Sequence, residues 1–371
     1  MIETITMLVA LNSANGATAN RLKAIAKGFA ANGINIHIYG ISNEVTEKSF
    51  LDDGVFFKNL SLSNNKLIAY VTGMLKFPFV IYKSECLWLE SATRLQFLLW
   101  IWWFLFKRKG TILLHEKTEC PDIIPLSKFD RKIYLKKCKK LDRIFVISTA
   151  LKEYFIDKGI DSDKIIIYPM LIDPNRVTDS IEKIYDFPYF AYCGSMGNNK
   201  DGLYNLIDAF ELFSKCDGEH KLVLIGDAKP DEFAKIKQYV FDKNLSDRVI
   251  FTGRISADKV PNYLSNAKAL LLARPNNIQA KYGFPTKLGE YLATGNPIIV
   301  TDTSDIAKYL KDGKDAYIVE PDNIKVFADK MLYVVQNYEE AKQVGMRGKG
   351  KIYSDFNYIV QTKKLVDNIG L

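Results

Sequence analysis

The chain has 371 residues, of which 48% are apolar and 25% charged, and its formal net charge is +8. This is the composition of a soluble globular protein with room for two domains of ordinary size. The five cysteines (Cys86, Cys120, Cys138, Cys193, Cys216) are odd in number and sit at no zinc or redox spacing. That excludes a cysteine-based metal or redox motif and reads as reduced packing residues of a cytosolic protein. Thr4–Leu11 is too short for a signal peptide and runs straight into a turn, so a cytoplasmic location is expected.

The positive charge is unevenly placed. Residues 1–185 hold 26 Lys/Arg against 19 Asp/Glu, and Lys76–Arg143 hold 15 against 7. Such a run is ordinarily a solvated face. This window also contains Leu95–Phe106, LQFLLWIWWFLF, followed at once by Lys107-Arg108-Lys109. The apolar run falls short of the roughly 20 residues that span a bilayer. It suits a buried core helix or an interfacial segment with tryptophans at headgroup depth and lysines on anionic lipid, and one face could do each job. The basic cluster comes with no nucleic-acid-binding motif, so nucleic acid is not an expected partner.

In chain order, Ile5–Leu11 reads as a strand and Asn12–Asn20 as a small-residue loop around Gly16. Arg21–Ala31 follows as a helix with Leu22, Ile25, Ala26 and Phe29 on one face, and Asn35–Ile41 as a second strand. This opening is a doubly wound unit whose first loop sits at the sheet edge where ligands bind, although it lacks Gly-x-Gly-x-x-Gly. Val55–Leu60 reads as a strand and Leu67–Leu75 as a helix. Thr111–Glu116 is a strand ending in His115-Glu116, which places a histidine beside a carboxylate at a strand's C-terminal end, a position suited either to a ligand or to the core. Asp130–Lys140 is a basic helix, Arg143–Ser148 a strand, Thr149–Lys158 a helix and Lys164–Tyr168 a strand. Pro174–Pro188 lacks periodicity and reads as a linker.

A second α/β run begins at the strand Tyr189–Cys193. The glycine loop Gly194–Lys200 leads into a helix with Leu203, Leu206, Ile207, Phe210 and Phe213 on one stripe. Strand, glycine loop, Lys and helix make a phosphate-friendly geometry without being a Walker motif. Lys221–Ile225, Val249–Gly253, Ala269–Ala273 and Ala316–Val319 continue the alternation as strands, which argues for a parallel sheet. Tyr353–Leu371 reads as a terminal helix.

The most informative stretch is Tyr282–Val300, YGFPTKLGEYLATGNPIIV. Pro285 pre-sets a helix start, Thr286 is a candidate N-cap, and Lys287–Thr294 is a short helix with Leu288, Tyr291 and Leu292 on one face. Gly295-Asn296-Pro297 stops it before the buried strand Ile298-Ile299-Val300. A helix start attracts phosphate, and Glu290, one turn on, could accept two hydrogen bonds from a ribose diol. An ordinary solvent-facing Glu on an ordinary helix fits the spacing equally well.

This stretch resembles the donor-site signature of the retaining glycosyltransferases of family 4, Glu-Gly-Phe-Gly-x-x-x-x-Glu-Ala followed by Gly-x-Pro-Val-Ile. Gly283, Phe284, Glu290, Gly295, Pro297 and Ile298 fall in register with it, and Phe-Pro-Thr-Lys-Leu-x-Glu-Tyr-Leu-Ala is similar to a version found in enzymes of bacterial surface-polysaccharide synthesis. The resemblance implies an α/β GT-B fold, two Rossmann-like doubly wound domains facing across a cleft. Residues 1–173 with a returning helix at 352–371 would bind the acceptor, and residues 174–351 the nucleotide sugar. It implies that Lys200, Gly283, Phe284, Thr286, Lys287 and Leu288 meet the donor diphosphate, Glu290 the ribose, and Arg254 and Ile255 the base. His115 would lie near the reacting sugar. Gly16, Glu116 and Glu119, the last in a Glu-x-Pro-like Glu119-Cys120-Pro121, would lie near the acceptor or a closing loop. The sequence departs from the family twice: Tyr282 stands where the first Glu of the signature falls, and Ser195 where an Arg is usual. Arg274 is a candidate substitute for that Arg.

The expected activity is therefore transfer of a sugar, with retention, from a nucleoside-diphosphate sugar to a hydroxyl of a glycan or polyprenyl-linked acceptor, with peripheral contact at the inner membrane face. No cofactor is expected, and no Asp-x-Asp pair suggests a Mg²⁺ or Mn²⁺ site. Two alternatives share the architecture: a UDP-N-acetylglucosamine 2-epimerase-like isomerase, and a non-catalytic nucleotide-sugar-binding protein, which the Tyr282 and Ser195 departures favour.

Overall fold

The computed structural model describes residues 2–9, 17–41, 49–52, 54–60, 63, 65–89, 93–124, 126–174, 182–197 and 200–369. Gly16 and the Asn198-Asn199 part of the glycine loop lie outside the described residues. The chain forms two compact units, Met1–Leu171 with Tyr358–Leu371, and Ile172–Asn357.

The first unit is built on β1 (Thr4–Val9), β2 (Asn35–Gly40), β3 (Ser49–Asp52), β4 (Val55–Asn59), β5 (Cys86–Leu89), β6 (Ile112–Lys117), β7 (Arg143–Val146) and β8 (Ile165–Ile167). Their order is β3-β4-β2-β1-β5-β6-β7-β8, parallel throughout except for the short edge strand β3. Period-2 alternation sends Ile5 and Met7 of β1 and Ile36 and Ile38 of β2 to one face, against Ile25 and Phe29 of the helix Ala17–Ala31. The helix Tyr358–Ile369 returns to that face: Leu365 enters the same core and Tyr168 Oη lies 2.6 Å from Thr362 Oγ1. Gly28 makes the close approach possible, since a Cβ there would strike Thr362 Oγ1 and stand 2.8 Å from Tyr358 O.

The second unit holds β9 (Tyr189–Cys193), β10 (Lys221–Ile225), β11 (Val249–Gly253), β12 (Ala269–Leu272), β13 (Ile298–Thr301) and β14 (Tyr317–Val319), all parallel, in the order β11-β10-β9-β12-β13-β14. β12 and β13 are buried at every position, which is why they read as continuous apolar runs rather than alternating ones. The expected stripe of the helix Leu203–Ser214 is buried as a row from Leu203 to Phe213. In this sheet the chain runs outward from β9 to β11 and then from β12 to β14 in the other direction. The β9/β12 boundary is therefore the topological switch point, where doubly wound sheets bind ligands beyond the strand C-termini.

Several local expectations change. The helix expected at Leu67–Leu75 runs from Lys66 to Lys83, capped by Asn65, whose side chain accepts from the Leu67 and Ile68 amides, and it continues through Pro78. The tail is two helices, Tyr338–Ser354 and Tyr358–Ile369, rather than one beginning at Tyr353. The aromatic run forms the helix Thr93–Phe106, which buries Trp103 and leaves Phe104 and Leu105 exposed, so it has an inner and an outer face. Among the described residues no helix is long and apolar enough to cross a membrane. All five cysteines are free.

Candidate functional site

The loops leaving β9 and β12 meet at the switch point of the second unit. Their junction is tied by Tyr291, whose hydroxyl accepts a 2.7 Å hydrogen bond from the Cys193 amide and so fixes the helix Lys287–Thr294 to the end of β9. Glu290 lies on that helix beside the same strand end: burial first, and then the Glu290 charge, push the Cys193 thiol up to about 12.

At the centre is Asp201, the residue that follows Lys200. Its carboxylate takes an ion pair from Lys287 Nζ, a hydrogen bond from Tyr192 Oη at 3.1 Å, and lies 3.5 Å from Arg274 Nε. Burial alone would raise the Asp201 carboxyl, but Lys287, with Arg274 and Lys200, brings it below the ordinary carboxylate value. Arg274 is 1% exposed, its Nη1 has no hydrogen-bond partner among the described residues, and it passes beside Gly283. Three cations thus converge around one carboxylate, leaving an excess of positive charge at the mouth of the switch point.

Two glycines lie close against this junction. A Cβ on Gly194 would occupy the place of Lys287 Nζ. Gly202 has φ +70° and a Cβ there would strike Ala273 O, so the loop after β9 is packed directly onto the end of β12.

The expected phosphate cradle is narrower than its sequence suggests. Thr286 stands at the N-cap position but in a helical conformation and makes no capping bond with its side chain. The Gly283 amide donates to Gln279 O at 3.1 Å and the Leu288 amide to Pro285 O at 3.0 Å, so both are engaged within the segment. Pro285 has no N–H, and no backbone partner for the amides of Phe284, Thr286 and Lys287 is found among the described residues, which makes them the candidates for a ligand. The side chains of Phe284 and Leu288 face inward: Phe284 packs edge-on to Tyr309 at 5.7 Å, and Leu288 is fully buried. Tyr282 is half-buried under Lys281, whose ammonium is 5.4 Å from the ring. Arg254, exposed, and Ile255, half-buried, follow β11, the edge strand two positions from β9.

In the first unit, His115 is buried on β6 with Nε2 at 2.9 Å from Lys117 Nζ. Burial, reinforced by the Lys117 charge, drives the imidazole well below its usual value and keeps it neutral. Glu116, expected near the acceptor or a closing loop, is held by Arg21, whose Nε and Nη2 both donate to Oε1 at 2.9 and 2.6 Å. Arg21 also donates to Pro169 O and Tyr168 O, so it clamps β6 to the chain leaving β8. Glu119 is exposed in the loop after β6. Asp201, Arg21 and Lys117 were not foreseen, because their partners are distant in sequence or exposed by no pattern.

Residues 187–337 match the family described as glycosyl transferases group 1. An uncharacterized glycosyltransferase of Methanocaldococcus jannaschii is 28% identical over 250 residues, covering 64% of this chain and 65% of that protein. The amylovoran biosynthesis glycosyltransferase AmsK of Erwinia amylovora is 21% identical over 238 residues, covering 64% and 58%. The chain thus matches less than two thirds of the length of either relative. The crystal structure of HepE from Anabaena in complex with UDP and glucose superposes with a TM-score of 0.77 at 14% identity, covering 100% of both chains. The fold is GT-B: two parallel-sheet Rossmann-like domains.

Proposed function

We propose that the protein is a glycosyltransferase that moves a sugar from a nucleoside-diphosphate sugar to a hydroxyl of a glycan or polyprenyl-linked acceptor in surface-polysaccharide synthesis. The observation that carries this reading is the convergence of Lys200, Arg274 and Lys287 on Asp201 beside a helix start that bears Glu290. A diphosphate brings more negative charge than one carboxylate, so it can take over the contacts that Asp201 holds. The developing charge on the leaving diphosphate would then be met by Lys287, Arg274, Lys200 and the Phe284, Thr286 and Lys287 amides. Glu290 would hold the ribose. The known relatives named for amylovoran synthesis and for glycosyl transfer support the reaction class, and the UDP in HepE supports a uridine nucleotide as the first donor to try.

We infer retention of anomeric configuration and independence from a divalent metal, since the protein's own cations supply the charge. His115, buried neutral, would act as a hydrogen-bonding and packing group rather than as an acid at neutral pH. The acceptor is read as lipid-linked, with the protein resting on the inner membrane face.

The test is turnover of UDP-, GDP- and ADP-sugars with polyprenyl-diphosphate acceptors, with and without EDTA, followed by proton NMR of the product linkage. An α-linked product from an α-donor, formed in EDTA, is expected. A β-linked product would overturn retention, and activity abolished by EDTA would overturn metal independence. Donor binding without any turnover would leave the nucleotide-sugar-binding reading that Tyr282 and Ser195 favour.

A further inference from the structure

A groove of about 730 Å³ lies in the first unit, between the helix Lys66–Lys83 and the face of β1, β2 and β4 turned away from the core. Thr6, His37, Tyr39 and Lys58 line it from the sheet, at the positions alternating with the core residues Ile5, Ile36 and Ile38, and Lys76 and Lys83 line it from the helix. Among the described residues that line it there is one acid, Glu85. Lys76 is anchored by a 2.8 Å hydrogen bond to Leu60 O. A half-open groove with three lysines and a histidine is a site for an anionic group.

The outer side of the same helix is apolar. Ile68, Val71, Leu75, Phe79 and Tyr82 recur at three- and four-residue spacing and are 51%, 49%, 61%, 71% and 58% exposed. Phe79 belongs to both features, since it also borders the groove. The helix Thr93–Phe106 packs alongside and adds the exposed Phe104 and Leu105. Arg108 joins the two helix ends: it donates to Lys83 O at 3.1 Å and its guanidinium lies 5.6 Å from the Tyr82 ring. Residues 66–84 and 93–110 contain Lys and Arg but neither Asp nor Glu. Exposed apolar side chains at this density are not left to water without a function. Cations without acids in these two segments select a surface that is both apolar and negatively charged.

We propose that this face docks on an anionic phospholipid bilayer. The Ile68–Tyr82 stripe and Phe104-Leu105 enter the headgroup–acyl boundary, and a lipid phosphate is drawn into the groove between Lys58, Lys76 and Lys83. The proposal rests on the membrane part of the reading above and not on sugar transfer.

The full chain is tested by co-sedimentation with phosphatidylcholine vesicles and with vesicles that also contain phosphatidylglycerol. Binding to the second alone is expected, lost in Leu75→Asp/Phe79→Asp and reduced about fivefold for each cation removed. Lys58→Glu/Lys83→Glu should lose more than Lys107→Glu/Lys109→Glu, although the change in charge is equal. Equal losses would overturn the groove as a phosphate site. Retained binding in the stripe variant, or none by the wild type, would overturn the docking face. A wild-type dimer that Phe79→Asp turns into a monomer would assign the stripe to a second copy instead. Nucleotide binding, measured on the same variants, should be unchanged, so failure here is distinguishable from failure of the donor site.

Discussion

Asp201 is the residue on which the donor-site account turns. It is buried, and Lys287 is its nearest cation. Replacing Lys287 by Met should cost on the order of 1–3 kcal/mol of stability by leaving a buried carboxylate with fewer partners. It should also weaken nucleotide binding. Asp201→Asn should weaken the apo protein but bind a diphosphate at least as tightly, because the internal competitor is gone. Denaturant melts beside calorimetric titrations check both, and an Asp201→Asn variant that binds diphosphate much more weakly would show Asp201 to be a ligand rather than a placeholder.

His115 yields a pH prediction at the same scale. The folded imidazole titrates well below its ordinary value, whereas the unfolded one titrates near 6.5. Between those two values the unfolded chain holds the extra proton. Stability contributed by the neutral ring is thus present above about pH 6.5 and falls as pH drops, by at most about 1.4 kcal/mol per pH unit. Unfolding free energy followed from about pH 7 to about pH 5.5 should fall more steeply in the wild type than in His115→Gln. Parallel slopes would mean that the ring is not held neutral.

At the scale of elements, close approaches do the positioning. Gly202→Ala places a Cβ against Ala273 O at a left-handed φ, so it should separate the β9 loop from β12 and abolish nucleotide binding along with several degrees of Tm. Gly28→Ala should instead loosen the returning helix Tyr358–Ile369 from Ala17–Ala31 and leave nucleotide binding intact. Thermal melts with and without nucleotide distinguish the two.

Elements also show what a sequence can tell. The helix Lys287–Thr294 and the strand after it are legible because proline, glycine and a buried apolar run are local signals. β5 was not foreseen: Cys86–Leu89 is four residues long, buried at every position and has no alternation to betray it, yet it lies beside β1 in the middle of its sheet. The extension of the Lys66–Lys83 helix was hidden by Pro78, which normally argues for a break. In the site, Lys200, Arg274, Lys287 and Glu290 could be singled out from the chain. The carboxylate that gathers the cations could not, because an ion pair such as Asp201–Lys287 joins residues with no common local pattern.

For the whole molecule, the GT-B fold was readable from β/α alternation and the resemblance in the second half, while the first half depended on long-range packing. The central claim is that the switch point of the second unit binds a nucleoside diphosphate through the cations now held by Asp201. The most direct measurement is isothermal calorimetry of UDP, GDP and ADP, in EDTA, against the wild type, Lys287→Met and Glu290→Ala. Saturable binding of one nucleotide by the wild type is expected, which would stabilise the fold by about 2.7 kcal/mol with ligand at 100 times Kd, with at least tenfold weaker binding in both variants. No binding of any of the three, or binding indifferent to Lys287 and Glu290, would contradict it.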